Sequence, residues 1–508
     1  MYGTMEITGI DARAGVAGLA TPRIDGLQRP ELLRDRAFIG GIWCDAADGR
    51  RLAVENPADG SLIGTVPDMG TRETERAVEV AERAFPGWRA TPARERGAIL
   101  RRWAELMLRH KEDLARIMTL EQGKPLAESR GEIDYAASFL DWFGEEAKRA
   151  YGETIPSHLP GSTLLVVREP VGVAAAITPW NFPSAMITRK AGAALAAGCT
   201  MVVRPASETP FSALALAVLA EEAGLPKGVL SIVTGDPIAI GDVLTKSPMV
   251  RALSFTGSTE IGRKLLEQCA GTVKKMSMEL GGHAPFIVLE DADLDAAVKG
   301  AIAAKFATSG QDCLAANRIY VPARLYDAFV ERFAAATAAL EVGPGLEPGV
   351  EIGPLMHEKA VKKCEAHVAD AVAKGARLVV GGTRHPLGGR FYTPTVLADV
   401  TDGMLIAHEE TFGPVAAILR YEDEAEVIAR ANATIYGLAA YVYGSGLRNV
   451  MRVAGALDYG MVAINTPKFT GAPIPFGGTK QSGLGREGSR HGLDDYSELK
   501  YLCLGGLA

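Results

Sequence analysis

The strongest constraint on the fold is a repeated alternation of short apolar runs and helical stretches between residues 163 and 290. The apolar runs have no alternating polar face, and most are followed by a helical pattern; they include TLLVV, VGVAAAIT, TMVVRP, LSIVTG and VRALSFTGS. Short apolar strands joined by helices predict a parallel sheet that is covered on both sides. The segment therefore predicts a dinucleotide-type α/β domain.

The rest of the chain divides around this domain. Residues 1–30 show no periodicity and predict a flexible N-terminal extension, followed by the strand-like AFIGGIW. Residues 71–150 carry apolar side chains at three- and four-residue intervals, which predicts amphipathic helices. A second α/β block runs from Ala284 to about Pro475, and LKYLCLGGL predicts a last strand that could pair with an exposed edge, including one in another subunit.

Composition excludes several classes of protein. The 508 residues are 47% hydrophobic and 23% charged, which favours two or three globular domains. A net charge of -7 without a basic block argues against nucleic-acid binding. Neither a run of eighteen apolar residues nor a signal-peptide pattern is present, so we expect a cytoplasmic protein without a membrane partner. Six scattered cysteines without a CxxC pair predict reduced thiols and no metal site.

Two side chains stand out as reactive groups. Cys313 lies in SGQDCLAANR, a polar connection after a helix, and exposure there favours a nucleophilic thiolate over a buried filler. Glu279 lies in MSMELGGHAP, where we expect the end of a strand beside a cleft. A carboxylate in that place can have a raised pKa and act as a base, whereas the alternative is an acid that faces solvent.

A third feature is the Pro-flanked turn in TPWNFPSAMITRK. Its Asn181 amide can donate to a developing oxyanion. On the helix that follows, spacing places Phe182, Met186 and Arg189 on one face and turns Lys190 away from it. Phe182 and Met186 also suit an ordinary core, but an Arg on the same stripe is unusual there.

The segment ALSFTGSTEIG predicts a strand, a turn and the start of a helix. Gly257 and Ser258 lie in the turn and Gly262 lies inside the helix, so backbone amides could hold a pyrophosphate. A Gly-Ser turn that merely caps a helix is the alternative interpretation.

Six motifs occur together in one order: TPWNFP, FTGSTEIG, MELGG, GQDC, EETFGP and PFGGTKQSGLGREG. From about residue 35 onward the chain resembles the aldehyde dehydrogenase superfamily, and succinate-semialdehyde dehydrogenases in particular. The resemblance implies an α/β fold with a Rossmann-type cofactor domain, an α/β catalytic domain and a small β oligomerisation element. The corresponding ranges are 31–150 and 171–281 for the first, 282–481 for the second, and 151–170 and 482–508 for the third.

The resemblance also implies a reaction, the NAD(P)-dependent, non-acylating oxidation of an aldehyde. Cys313 would be the nucleophile, Asn181 and the Cys313 amide would form the oxyanion hole, and Glu279 would activate the water that hydrolyses the thioester. Similar enzymes are dimers or tetramers, so a homo-oligomer is expected.

NADP or NAD is the expected cofactor. Similar enzymes carry Lys-Pro-Ala followed by Glu or Ser, where this chain has Arg204 and Ser207. A Ser with a nearby cation accommodates a 2'-phosphate, whereas the larger guanidinium could crowd the ribose. The remaining residues assigned to the cofactor are Trp180, Lys190, Gly257, Ser258, Gly262, Glu410 and Phe412.

The predicted substrate residues depart from the similar enzymes. Those enzymes hold a distal carboxylate with two Arg and a Ser; here Arg189 is present, Ala307 replaces the second Arg, and Thr470 lies near the Ser position. Asp312 adds a negative charge that would disfavour an anionic substrate by about 1 kcal/mol. Lys468 could replace the missing cation, unless it is a solvated loop lysine.

Three hypotheses follow from these residues. The first is oxidation of a short aldehyde with a distal anionic group, such as succinate semialdehyde or another carboxylated or sulfonated semialdehyde, with Phe476 completing the substrate contacts. The second keeps the chemistry but takes an uncharged or aromatic aldehyde, which Ala307 would admit. The third is a cofactor-binding protein without turnover, which the joint presence of Cys313, Glu279 and Asn181 argues against. His283 replaces an Asn common after the Gly-Gly pair, and the sequence assigns it no role.

Overall fold

A computed structural model of the chain describes residues 22–506, so most of the predicted N-terminal extension lies outside the described residues. The strands in chain order are β1 (Ala37–Ile39), β2 (Ile42–Cys44), β3 (Arg51–Glu55), β4 (Leu62–Pro67), β5 (Glu153–Ile155), β6 (Ser162–Pro170), β7 (Val173–Ile177), β8 (Thr200–Arg204), β9 (Leu230–Ile232), β10 (Val250–Thr256), β11 (Lys275–Glu279), β12 (Ala284–Val288), β13 (Ala316–Pro322), β14 (Arg377–Val380), β15 (Thr395–Ala398), β16 (Val415–Tyr421), β17 (Ala439–Tyr443), β18 (Met461–Ile464), β19 (Gly483–Leu484) and β20 (Ser497–Gly505).

Helices connect and cover these strands. In chain order they are α1 (Thr71–Ala90), α2 (Ala93–Arg109), α3 (Lys111–Gln122), α4 (Leu126–Glu146), α5 (Ala185–Ala197), α6 (Pro210–Glu222), α7 (Pro237–Lys246), α8 (Thr259–Cys269), α9 (Leu294–Phe306), α10 (Tyr326–Ala338), α11 (Glu358–Ala373), α12 (Glu424–Asn432) and α13 (Leu447–Ala456). Within residues 22–506, none of the helices has the length and apolarity that a membrane crossing requires.

The largest sheet has eight strands in the order β19-β11-β10-β7-β8-β9-β1-β2. Its central strands, from β11 to β9, are all parallel. Strands β7 and β8 are almost wholly buried, because α5 and α6 return the chain between successive strands and cover the sheet. The parallel α/β fold expected from the apolar runs is confirmed, and its carboxyl edge is the place where ligands bind in such sheets.

The prediction of one strand-like piece over AFIGGIW needs correction. The structure divides it into the antiparallel pair β1 and β2, with Ile39 opposite Ile42. Gly40 and Gly41 form the two-residue turn with φ values of 63° and 78°. Two consecutive residues with positive φ are the signature of a tight hairpin turn, which glycine permits without steric cost.

Two further sheets are formed by strands from other parts of the chain. A seven-stranded sheet has the order β14-β15-β16-β13-β12-β17-β18 and is parallel except for β14. In the three-stranded sheet, β20 pairs with β6 along nine residues, so the predicted last strand finds an edge within its own chain. Its neighbour β19 joins the first sheet beside β11. The division into three domains stays a prediction.

The crossing of α2 and α4 gives a test of the helical layer. A Cβ on Gly97 of α2 would lie 2.2 Å from the carbonyl oxygen of Gly144 in α4, whereas a Cβ on Gly241 of α7 would meet nothing within 4 Å. Gly97→Ala should therefore lower the midpoint of thermal unfolding, since overpacking of this kind costs about 1–3 kcal/mol. Gly241→Ala should hold or raise the midpoint because Ala favours helix. Equal midpoints for the two variants would contradict this packing.

Candidate active site

The predicted site residues converge at the carboxyl edge of the eight-stranded sheet. The neighbouring parallel strands β8, β7, β10 and β11 end at Arg204, Ile177, Thr256 and Glu279. The turn with Asn181 follows β7, and the Gly257 N–H donates to the Glu279 carbonyl at 3.0 Å. The topology therefore brings together residues that are as far apart in the sequence as Ile177 and Glu279.

Glu279 ends β11 with a buried side chain, only 2% exposed. Among the described residues neither of its carboxylate oxygens has a hydrogen-bond partner. Burial raises the pKa of Glu279 well above its ordinary value, and the nearby Glu487 carboxylate raises it further, while Arg189 and Lys190 act in the opposite direction. A carboxylate with these properties suits proton transfer near neutral pH.

Cys313 follows a strained turn. Thr308, Ser309 and Gly310 have φ values of 50°, 57° and 73°, and left-handed conformations at non-glycine residues cost about 1–3 kcal/mol each. The Glu128 carboxylate accepts the Thr308 N–H at 2.9 and 3.1 Å. Since the surrounding structure holds the strained backbone, the position of the thiol is set before any ligand binds.

The Gly281-Gly282 pair lets Glu279 and the thiol loop approach each other. A Cβ on Gly282 would lie 2.2 Å from the Cys313 carbonyl oxygen, so only glycine fits there. The Gly282 N–H donates to the Glu410 carboxylate at 3.0 Å, and burial raises the pKa of Glu410 to about 7. These two glycines therefore connect the end of β11 to both Cys313 and Glu410.

Two donors are placed for an oxyanion beside Cys313. The Asn181 Nδ2 donates one hydrogen bond to the Gln311 carbonyl at 3.1 Å and retains a second N–H. Lys124 fixes the same turn, because its Nζ donates to the Asn181 carbonyl at 2.6 Å. In the described part of the chain, the Cys313 N–H has no hydrogen-bond acceptor.

A cavity of ≈ 560 Å³ opens in front of the thiol. Its walls include every residue predicted to contact the substrate, together with the nucleophile: Phe182, Met186, Arg189, Asp312, Cys313, Lys468, Thr470 and Phe476. Lys190 does not line the cavity, in agreement with its placement on another side of the helix. Ala307 lines it, so the missing Arg leaves open space there.

The sequence interpretation missed Glu487, which lies between Arg189 and Lys190 and forms an ion pair with each. All three side chains are at most 5% exposed. A signal was available, since two adjacent buried cations require a nearby acid and GLGREG supplies one. The Arg189 guanidinium also lies 4.1 Å from the centroid of the Phe476 ring. Because its charge is already paired with Glu487, Arg189 should bind a substrate anion more weakly than its position in the sequence implies.

The residues assigned to the adenosine and pyrophosphate end form a second group. The Arg204 Nη2 donates to the Ser207 hydroxyl at 2.7 Å, and the buried Arg204 Nε has no partner within residues 22–506. Ser258 caps α8 by accepting the Ile261 N–H at 3.4 Å. A Cβ on Gly262 would lie 2.4 Å from the Leu280 side chain, so this glycine serves helix packing. The donors of this group suit a phosphorylated ribose and a pyrophosphate.

The residues assigned to the nicotinamide end form a third group. The Phe412 and Trp180 rings meet edge to face with centroids 5.6 Å apart, and Phe412 has a φ of 56°. Glu410 reaches the Gly282 amide, as described above. Lys190 is separate from this group, because its Nζ contacts Ser254 at 2.9 Å and Glu487.

A Rossmann-type sheet with a thiol, a buried acid and an amide donor at its carboxyl edge is the arrangement of a nucleotide-dependent oxidoreductase. The chain belongs to the aldehyde dehydrogenase family, whose model matches residues 43–502.

Relatives support this assignment over almost the whole chain. A glutarate-semialdehyde dehydrogenase of Pseudomonas aeruginosa is 60% identical, and the match covers 95% of this chain and 100% of the relative. An NADP(+) succinate-semialdehyde dehydrogenase of Escherichia coli is 58% identical, over 94% of this chain and 99% of the relative. The crystal structure of a succinate-semialdehyde dehydrogenase from Burkholderia pseudomallei superposes with a TM-score of 0.94 at 57% identity, over 95% of this chain and 100% of that one. The resemblance inferred from the six motifs is confirmed.

The charges around the thiol allow a test. Burial raises the pKa of the Cys313 thiol well above its usual range, and Asp312 is the strongest of the charges that raise it further. Removing this negative charge favours the thiolate, so Asp312→Asn should lower the thiol pKa. The pH dependence of alkylation by iodoacetamide measures that pKa in both proteins. An unchanged or higher thiol pKa in the variant would contradict the electrostatics described here.

Proposed function

We propose that this protein oxidises a short semialdehyde with a distal anionic group to the carboxylic acid through a thioester on Cys313. The observation that carries the proposal is the placement of Glu279 and Asn181 at the sheet edge beside Cys313, which lines a cavity that Lys468 also lines. The names of the relatives support an anionic semialdehyde and do not favour an uncharged aldehyde or a protein without turnover.

The reaction begins with the attack of the Cys313 thiolate on the aldehyde carbon. The carbonyl oxygen becomes an alkoxide, which the Asn181 amide and the Cys313 N–H stabilise. Oxidised nicotinamide supplies the acceptor for the hydride that leaves this carbon, and a thioester remains on the sulfur. Glu279 then takes a proton from water, the hydroxide attacks the thioester, and the acid and the thiol are released.

The residues present fit NADP or NAD. Ser258 and the start of α8 would meet the pyrophosphate, since helix N-termini present free amides to anions. Arg204 and Ser207 would meet the adenosine ribose, and a guanidinium beside a hydroxyl accommodates a 2'-phosphate. Glu410 and Phe412 would hold the nicotinamide riboside. The presence of Ser in place of Glu favours acceptance of NADP, in keeping with the name of the Escherichia coli relative.

The distal anion would be held by Lys468 and by the hydroxyl groups near it. Lys468 forms no ion pair in the described part of the chain, and it lines the cavity with Thr470 and Tyr135. Burial raises the pKa of Tyr135, and nearby Arg189 and Thr470 partly offset that effect. Tyr135 therefore stays a neutral hydrogen-bond donor. Together with Lys468 it can replace the second Arg of the similar enzymes, whose position is occupied here by Ala307.

The predictions of a homo-oligomer and of a cytoplasmic location also belong to this proposal. Leu499 and Tyr501 on β20 are 67% and 53% exposed, an apolar edge that suits a subunit interface.

Glu279→Gln tests the hydrolytic step. We expect one equivalent of NAD(P)H in a rapid burst and a steady-state kcat lower by about 100-fold or more, since the thioester forms but water is not activated. In the parent enzyme kcat should rise with pH above the ordinary carboxyl range, because a base with a raised pKa must lose its proton first. The variant should lose this dependence. Rapid steady turnover without a burst would assign the base to another residue.

Lys468→Gln tests the anion anchor. Loss of the cation should raise KM for succinate semialdehyde by about tenfold, with little change in kcat and in the KM for butanal. Lys299→Gln is the matched control, because Lys299 is an exposed lysine on α9, the helix that leads to Ala307. If Lys468→Gln raised both KM values equally, Lys468 would serve the loop and not the anion.

A further inference from the structure

Several charged groups on the cavity wall already have partners within the protein. Lys124 is paired with Glu132 at 2.6 Å, and Arg189 is paired with Glu487. Glu128, the remaining acid of α4 on the cavity wall, is held by the Thr308 N–H. Glu128, Asp312 and Lys468 have no ion pair among the described residues, but both Glu128 oxygens are already taken by the Thr308 N–H. One negative group, Asp312, and one positive group, Lys468, are left with free hydrogen-bonding capacity toward the cavity.

The negative one is Asp312, whose Cα lies about 3.8 Å from that of the nucleophile because the two residues are adjacent. One of its oxygens accepts the Leu314 N–H at 3.0 Å, and the side chain lines the cavity. Lys124 and Arg189 act on Asp312 only beyond ion-pair distance, and both are already paired with other acids. The Cys313 thiol also donates a hydrogen bond to Asp312. This donor is lost when the thiol ionises, and the carboxylate can then accept a hydrogen bond from a ligand in the space beside it.

The positive one is Lys468, on the loop before Phe476. Its backbone N–H donates to Thr466 at 3.3 Å, but its ammonium group has no partner within residues 22–506. Lys468 and Asp312 belong to different elements and contribute to the wall of one cavity. The cavity wall therefore carries a carboxylate next to the reacting thiol and an ammonium group on a different loop.

We propose that the preferred substrate is an amino-carboxylate semialdehyde, in which the ammonium group contacts Asp312 and the carboxylate contacts Lys468. The inference rests on the function proposed above and names its substrate class. A simple dicarboxylic semialdehyde would satisfy Lys468 but place no donor on Asp312. A zwitterion satisfies both groups, because electrostatic complementarity discriminates between ligands of similar shape. The same neutralisation of Asp312 removes a negative charge from beside the thiolate.

The test compares three substrates that differ in one substituent. They are 4-oxobutanoate, its 2-amino derivative and its 2-hydroxy derivative, assayed by NAD(P)H formation at fixed ionic strength. We expect kcat/KM for the amino compound to exceed that for 4-oxobutanoate by about tenfold or more, as one charge-assisted contact allows. An equal or lower value for the amino compound overturns the inference. An equal preference for the hydroxy compound also overturns it, since a neutral donor would then suffice.

Two substitutions connect the preference to Asp312. Asp312→Asn should lower kcat/KM for the amino compound and raise it for 4-oxobutanoate, so that the ratio falls by about tenfold or more. Asp312→Ser is the second variant, because a hydroxyl can still accept the Leu314 N–H and preserve the loop. A ratio that survives both substitutions overturns the inference. If butanal is oxidised faster than all three carboxylated compounds, the function proposed above fails as well, which separates the two conclusions.

Discussion

The carboxylate of Glu487 is the interaction on which the site depends. It lies between the adjacent cations Arg189 and Lys190, and Lys190 also contacts Ser254 on β10. This one acid therefore joins the C-terminal segment, helix α5 and the central sheet. Removal of one partner from a buried charge cluster leaves an uncompensated charge, which costs several kcal/mol. The cluster has one more cation than acid, and Glu279 lies close enough to feel all three charges.

This arrangement explains why Glu279 is balanced for proton transfer. Burial and Glu487 favour its neutral form, whereas Arg189 and Lys190 favour the carboxylate. The opposing effects keep the pKa above that of a surface acid without removing the possibility of ionisation. The Cys313 thiol has fewer such supports, because burial and Asp312 both oppose its ionisation. The reactivity of Cys313 therefore depends on how its thiol is positioned, because the surrounding charges do not favour the thiolate. The strained turn that Glu128 holds fixes this position.

The sequence predicted the parallel sheet and the residues at its carboxyl edge because both depend on local patterns. Apolar runs of strand length followed by helices are visible without tertiary information, and the sequence alone places Glu279 at the end of a strand and Ser258 just after one. Glu487 and Glu128 were missed because their roles come from contacts with residues far away in the sequence. The sequence predicts one strand across Gly40 and Gly41 because apolar residues flank both glycines, although a Gly-Gly pair between two apolar runs also suits a hairpin turn. The positive φ values of both residues identify the turn.

Ala307 and Asp312 have to be considered together. An Arg at position 307 would place a cation on the wall that Asp312 also lines, and the two side chains could neutralise each other or compete for the same anion. With Ala, the acid beside the thiol is left without an ion pair among the described residues, and the space in front of it is open. The absence of one cation therefore changes more than the affinity for a carboxylate. With Arg at position 307 this wall would bind an anion, whereas with Ala it presents the Asp312 carboxylate, which accepts a hydrogen bond from a donor. The negative group of the substrate would then be bound by Lys468.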